Sequence, residues 1–241
     1  MSALILASGF FQGCYAQDNV LPRWIDSTVI EVKPGMRQEF EGYLKQLIAA
    51  HKKAGARWFL TFETFAGDTT EYTTIIPVMK FGDLDGPTAV AKISGEKSWH
   101  DLSRKMARCY TRESRQFATP QAELEISKPG PAESSYWVQT NTLVTPGRMG
   151  DYLNWIRNDY RPALEKAGVT GFQVSQPIFG APGSEIVTLR ELRNLGEIDG
   201  GAVLSRALSN DDARAVASRA AALVTSSHTR IVRVRTDLSF R

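Results

Sequence analysis

The chain has 241 residues, 42% of them hydrophobic and 23% charged, with a formal charge of +3. There is enough apolar material to offset the entropy of folding, which excludes a disordered chain. Basic and acidic residues are interleaved, which excludes a nucleic-acid footprint, and the length suits one large domain or two small ones.

The first residues differ in kind from the rest. Ala3 to Phe11 is an apolar run, followed by Gly13-Cys14-Tyr15-Ala16-Gln17 and then Asp18-Asn19. An apolar segment ahead of small residues is the pattern of an export signal. Residues 1–17 therefore read as a signal peptide cut after Ala16, and the protein as periplasmic or extracellular. No Lys or Arg precedes the run, so the signal is incomplete at its N-terminus, and a buried strand or a tail is the alternative reading. The run is too short to cross a bilayer, which takes about 20 residues. Phe11-Gln12-Gly13 ahead of Cys14 is a poor match to a lipid-attachment site. Once the leader is removed, Cys109 is the only cysteine. No intramolecular disulfide is then expected, and Cys109 reads as a buried helix residue rather than a nucleophile.

Beyond the leader the sequence repeats itself. Val32-Lys33-Pro34-Gly35 leading to Phe40 recurs as Val144-Thr145-Pro146-Gly147 leading to Tyr152, an offset of 112. Lys53-Ala54-Gly55 and Phe59 recur as Lys166-Ala167-Gly168 and Phe172, an offset of 113, so one residue has been inserted in the intervening helix or loop. Glu71 to Ile75 matches Glu185 to Leu189, and Phe81 to Gly86 matches Leu195 to Gly200, both 114 apart.

In the first copy, residues 22–128, a β-branched strand at 28–32 meets a Pro-Gly turn. A helix follows, with Met36, Phe40, Tyr43, Leu44, Leu47, Ile48 and His51 on one face, and Ala54-Gly55 stops it. Strands at 58–65 and 71–77 flank Ala66-Gly67-Asp68, a second helical region follows Asp85-Gly86, and 122–127 reads as the closing strand. Residues 129–135, rich in Pro and Gly, read as a linker.

The second copy, residues 136–241, follows the same plan. It has a strand at 140–144 and a helix with Met149, Tyr152, Leu153, Ile156 and Tyr160 on one face, which Pro162 must restart or kink. A hairpin at 172–179 and 185–192 follows, then a helix start at Ser209-Asn210-Asp211-Asp212, with closing strand 230–238. Each copy thus reads β-α-β-β-α-β. A four-stranded sheet with both helices on one face leaves the other face bare, and the second copy supplies a sheet to cover it.

The element order, the Val-x-Pro-Gly turn into the first helix and the aromatic second strand resemble the ferredoxin-like dimeric α/β-barrel superfamily, which includes antibiotic-biosynthesis-monooxygenase-like and NIPSNAP-like proteins. The resemblance runs from about Trp24 to Phe240. It implies an α+β fold of two tandem ferredoxin-like repeats packed sheet to sheet, a monomer forming an intramolecular pseudo-dimeric barrel, with further oligomerisation left open. It also implies a ligand cavity between a sheet and its helices. The scaffold hosts oxygenases, dismutases, haem binders and proteins without known activity, so it does not fix a function.

The aromatic residues available to line such cavities are Tyr43, Trp58, Phe62 and Tyr72 in the first copy, and Trp137, Trp155, Tyr160 and Phe172 in the second. Plain core packing is the alternative for all of them. Val29, Glu63 and Ile76 align with Asn141, Gln176 and Arg190, so the second copy gains polar groups at Gln139, Asn141, Gln173, Gln176 and Arg190. On a shared buried side these would need partners, and a polar ligand could be one; otherwise they face solvent or pair with each other. His51, His100 and His228 stand far apart with no second ligand at metal spacing, so no metal or other cofactor is expected. Some two-domain relatives hold haem through a histidine, but nothing around His100 or His228 matches their motif. Asp85 and Asp199, each before a glycine, read as turn residues.

The expected function is an exported protein that binds a small apolar or aromatic ligand, with no nucleic-acid partner and no transmembrane segment. One alternative is a cofactor-independent oxygenase in which Trp58, Tyr72, Asn141 and Arg190 orient the substrate. Another is a structural or interaction protein without ligand.

Overall fold

The computed structural model describes residues 22–127 and 136–240. The expected export signal and linker lie outside the described residues. The fold is mixed α+β, in two compact units. One holds residues 22–119, 178–180 and 232–240, and the other holds 120–127, 136–177 and 181–231. No helix among the described residues is long and apolar enough to cross a membrane.

The N-terminal unit runs β1 (Trp24–Val32), α1 (Arg37–Lys53), β2 (Leu60–Ala66), β3 (Glu71–Val78), α2 (Ala89–Ser94), α3 (Glu96–Arg108) and β4 (Tyr110–Pro120). Its antiparallel strands lie in the order β4-β1-β3-β2. The entry to α1 is dictated locally. Pro34 fixes φ at the first turn position, Gly35 accepts φ +82°, and Met36 N–H closes the turn on the Lys33 carbonyl at 3.0 Å. The core under α1 holds Ile30, Val32, Phe40, Leu44, Phe59, Tyr72, Met106, Cys109 and Leu238. Cys109 is fully buried at the end of α3, and burial pushes its thiol up, as expected of a packing residue.

The C-terminal unit runs β5 (Ile126–Ser127), β6 (Tyr136–Val144), α4 (Met149–Trp155), a π-turn (Ile156–Tyr160), α5 (Arg161–Lys166), β7 (Gly171–Phe179), β8 (Glu185–Leu192), α6 (Val203–Ala207), α7 (Asn210–Ala221) and β9 (Val224–Val234). Its strand order is β9-β6-β8-β7-β5, and the last residues of β9 lie in the other unit, beside β2. The entry turn has the same form, with Gly147 at φ +80° and Arg148 N–H on the Thr145 carbonyl at 2.9 Å. Ser209 caps α7 through Asp212 N–H at 3.2 Å.

The helix of this unit comprises segments of seven, five and six residues against seventeen in α1, one residue longer. The extra residue is absorbed as the π-turn, in which Arg161 N–H reaches back five residues to the Ile156 carbonyl. Pro162 gives the reason. It has no N–H for the Asn158 carbonyl and its ring would strike that carbonyl in a regular helix, whereas a widened turn avoids both faults.

The closing strands differ from expectation. In the N-terminal unit the strand is β4, about a dozen residues before the segment expected at 122–127, which is instead a 3-10 turn (Ala122–Leu124) and the short β5. The strand expected at 230–238 is β9, which starts at Val224, and 236–238 is a 3-10 turn. Both strands run through exposed polar residues such as Arg112, Ser114, Ser226 and Thr229, so neither carries the apolar alternation that marks a strand. Asp85 and Asp199 end short 3-10 turns, Phe81–Leu84 and Leu195–Ile198.

Gly180 tests the packing of the N-terminal unit. It sits at φ +82°, and a Cβ there would overlap the Arg115 carbonyl oxygen and lie 2.9 Å from Gln116 Cα. Gly180→Ala should lower stability by at least ~1–2 kcal/mol from the left-handed backbone alone. Gly183→Ala, with nothing within 4 Å, should leave the thermal midpoint nearly unchanged.

Candidate functional site

The C-terminal unit gathers aromatic rings and a guanidinium on the side of its sheet that faces its helices. Val144, Phe172, Val174 and Ile186 belong to the core under the helix, which fixes the even-numbered positions of β6, β7 and β8 as the helix-facing ones. Arg190 pairs with Phe172 on one side and Val138 on the other, so it shares that face, and Gln176 follows Phe172 and Val174 in the same alternation. Trp155 stacks on Tyr160, with centroids 4.9 Å apart and planes at 15°, and meets Tyr152 at 5.3 Å. Tyr160 in turn sets its ring edge to face against Phe172 at 5.6 Å.

This stack depends on the π-turn. At 3.6 residues per turn, residues five apart lie about 140° apart around a helix and cannot stack. Widening the turn between Trp155 and Tyr160 carries them toward one face. Trp155 is also anchored by its indole N–H, which donates to the Val216 carbonyl at 3.1 Å.

Arg190 is the unusual member. Among the described residues it has no ion pair, and its buried Nη1 has no hydrogen-bond partner. Desolvation pulls its pKa below the usual arginine range, opposed by Tyr160 and Glu197 nearby. Glu197 is already taken: it accepts from Arg193 N–H at 2.7 Å, Arg193 Nε at 3.2 Å and Arg206 Nη1 at 2.9 Å. A carboxyl that titrates near neutrality lies in the same unit, because burial and then Glu123 push Glu125 up to about 7.

Of the other polar positions singled out from the sequence, Gln176 alone shares the face of Arg190. Trp137, Gln139, Asn141 and Gln173 alternate onto the opposite face, so the five groups do not share one buried side. Asn141 accepts from Gln139 Nε2 at 2.9 Å and donates to Glu185 Oε1 at 2.6 Å, so these polar groups satisfy one another. Trp137 is buried with its ring end over Gly171, where a Cβ would come within 2.7 Å.

In the N-terminal unit, Trp58, Phe62 and Tyr72 are buried, while Tyr43 is half-buried and donates to Glu39 at 2.9 Å. Sequence reasoning missed the charged cluster around Tyr72. Arg235 Nη1 donates to Glu41 Oε1 at 2.7 Å and Glu63 Oε2 at 3.0 Å, and its Nη2 to Glu41 Oε2 at 3.0 Å and Asp237 at 2.8 Å. Glu63 also pairs with Arg233 at 3.0 Å and with Arg37, and Tyr72 donates to Glu41 at 2.6 Å. The one available signal was Glu63 itself, a carboxylate inside the otherwise uncharged run of β2. The arginines bonding Glu41, above all Arg235, hold it down at about 2 against desolvation. Burial and Glu41 push Tyr72 up to about 12.

Haem does not fit the histidines present. An axial imidazole needs shelter beside an apolar cavity, whereas His100 and His228 are exposed, and His51 packs against Phe59 at 5.3 Å in the N-terminal core. No three His, Cys, Asp or Glu side chains among the described residues are grouped so as to hold a metal ion.

The Glu41 cluster makes stability depend on pH with a defined sign. Its folded pKa lies below the ordinary 4.5, so its contribution is complete above about 4.5 and disappears as pH falls toward about 2. Urea unfolding across that window should show the loss in the wild type and a flatter profile in Glu41→Gln. At neutral pH, Arg235→Met, which removes one of the guanidinium partners of Glu41 and of Glu63, should cost ~1–3 kcal/mol.

No protein-family model and no curated protein matches this chain. Solved structures do. An anthrone oxidase-like protein superposes with TM-score 0.62 at 14% identity, covering 90% of this chain and 92% of its own. A Lactobacillus acidophilus protein provisionally assigned as a monooxygenase gives 0.59 at 9% identity, covering 89% and 94%. A variant chlorite dismutase from Candidatus Nitrospira defluvii gives 0.55 at 8% identity, covering 91% and 94%. At such identities the likeness is one of fold alone: the chain shares the fold of these structures.

Proposed function

We propose that the protein binds a small aromatic molecule in its C-terminal unit, between the α4–α5 helix and the helix-facing side of the sheet. The observation that carries this reading is the π-turn, which sets Trp155 and Tyr160 in a stack against Phe172 near a guanidinium lacking an ion pair. Such turns interrupt helices disproportionately at functional sites, and their cost is retained where a side-chain arrangement requires them. The equivalent region of the N-terminal unit is no rival, because its buried charges are matched internally by the Glu41–Arg235–Glu63 cluster.

The same strand order and entry turn in each unit support a tandem ferredoxin-like duplication whose copies diverged, the first toward an ion cluster and the second toward an aromatic site. The composition of residues 1–17 supports export, which N-terminal sequencing of the mature protein from its host would test by a start at Gln17.

A cofactor-independent oxygenase is the second reading. Arg190 is suited to hold the oxyanion that forms when an aryl ketone loses a ring methylene proton. Addition of O2 to the resulting carbanion, followed by loss of water, turns the methylene into a carbonyl, and the substrate itself supplies the electrons. The anthrone oxidase-like neighbour is consistent with this chemistry.

Titration with 1-naphthol, followed by tryptophan emission, should give saturable quenching that largely disappears in Trp155→Phe. Tyr160→Leu should bind ~2- to 10-fold more weakly, the worth of one aromatic contact, while Tyr43→Phe should match the wild type. Unchanged affinity in Tyr160→Leu would sink the site. Oxygen uptake with anthrone, lost in Arg190→Ala, separates the enzyme from the binding protein.

A further inference from the structure

We infer that the C-terminal unit binds its ligand through an anionic group, a carboxylate, sulfate or phosphate, held by Arg190 together with Arg206. The inference rests on the proposed aromatic site and adds the chemistry of the ligand's head. Three guanidinium groups, Arg190, Arg193 and Arg206, lie about a single carboxylate, Glu197. Arg193 and Arg206 take that carboxylate in hydrogen bonds, which leaves Arg190 with a buried donor and no ion pair of its own among the described residues. Arg206 Nε is likewise buried without an acceptor among the described residues.

The next carboxylate on β8, Glu191, cannot serve. It alternates onto the opposite face and accepts from Thr170 Oγ1 at 2.9 Å. A water molecule could accept a hydrogen bond from Arg190 but could not supply the missing charge, and a planar guanidinium fork matches an oxyanion in two bonds. Tyr160 neighbours Arg190, so an aryl group directly attached to the anion would lie against the aromatic stack. The class of ligand is therefore a small aryl carboxylate, sulfate or phosphate.

The test compares 1-naphthoate with the neutral 1-naphthalenemethanol by calorimetry, and sodium sulfate with sodium chloride at matched ionic strength by thermal unfolding. Naphthoate should bind at least ~10-fold more tightly than the alcohol. That preference should collapse in Arg190→Gln, return in part in Arg190→Lys, and grow in Glu197→Gln, which removes the competing carboxylate. A merely structural arginine would not give opposite shifts in the last variant and the first. Equal binding of both naphthyl probes overturns the anion and leaves the aromatic reading standing. If neither probe binds yet sulfate raises the midpoint in an Arg190-dependent way, the anion site stands and the aromatic reading falls. Sulfate stabilisation identical in wild type and Arg190→Gln, without naphthoate binding, marks an adventitious ion only and overturns the inference.

Discussion

Pro162 removes a backbone donor in the middle of a helix, and the candidate site follows from how the chain accommodates that loss. The ladder widens by one residue, Arg161 bonds to the Ile156 carbonyl, and the helix continues through α5 to Leu164 and the rest of its apolar face. A kink would have been the other response, at the expense of packing on both sides of it. With the π-turn the core at Ile156 and Leu164 stays fully buried, and the rotation is spent on the side chains between them. Trp155 and Tyr160 are thereby stacked, a pairing that a regular helix of this sequence forbids.

The two units resolve buried charge differently. In the N-terminal unit Glu41, Glu63 and Asp237 face Arg37, Arg233 and Arg235, with Tyr72 supplying a further donor. Every member has a partner, so the cluster ties the chain's last residues to α1 and β2. Leu238, fully buried, and the bridge between Phe59 and Phe240 continue that attachment in apolar contacts. In the C-terminal unit the positions matching Glu41 and Tyr72 are Leu153 and Ile186, both apolar, and the charge moves to Arg190 at the other end of the strand. The charges of the first cluster are matched within the chain, whereas Arg190 has no ion pair among the described residues.

Much of the architecture was readable in the residues because the signals are local. Pro34-Gly35 and Pro146-Gly147 demand the same turn wherever they occur, and the apolar face from Phe40 to Leu47 can only be one side of a helix. The change of offset from 112 to 113 counted the inserted residue and confined it to the first helix or the loop after it. The closing strands were misplaced because β4 and β9 are largely exposed. Their pairing comes from neighbours such as β1, which lies alongside β4 from Ile25 to Val32, and not from any pattern of their own.

The sequence by itself determined the order of elements, both entry turns and the burial of Cys109, since each depends on the conformational limits or hydrophobicity of residues close together in the chain. Only the tertiary structure decided that Arg190 shares a sheet face with Phe172 while Asn141 does not, that the inserted residue became a π-turn, and that Arg235 reaches Glu41 from 194 positions away. Strand alternation is blind to register until a partner fixes which face is buried. A long-range ion pair leaves no periodic trace, because its energy depends on distance and shared burial, which arise only once the chain has folded.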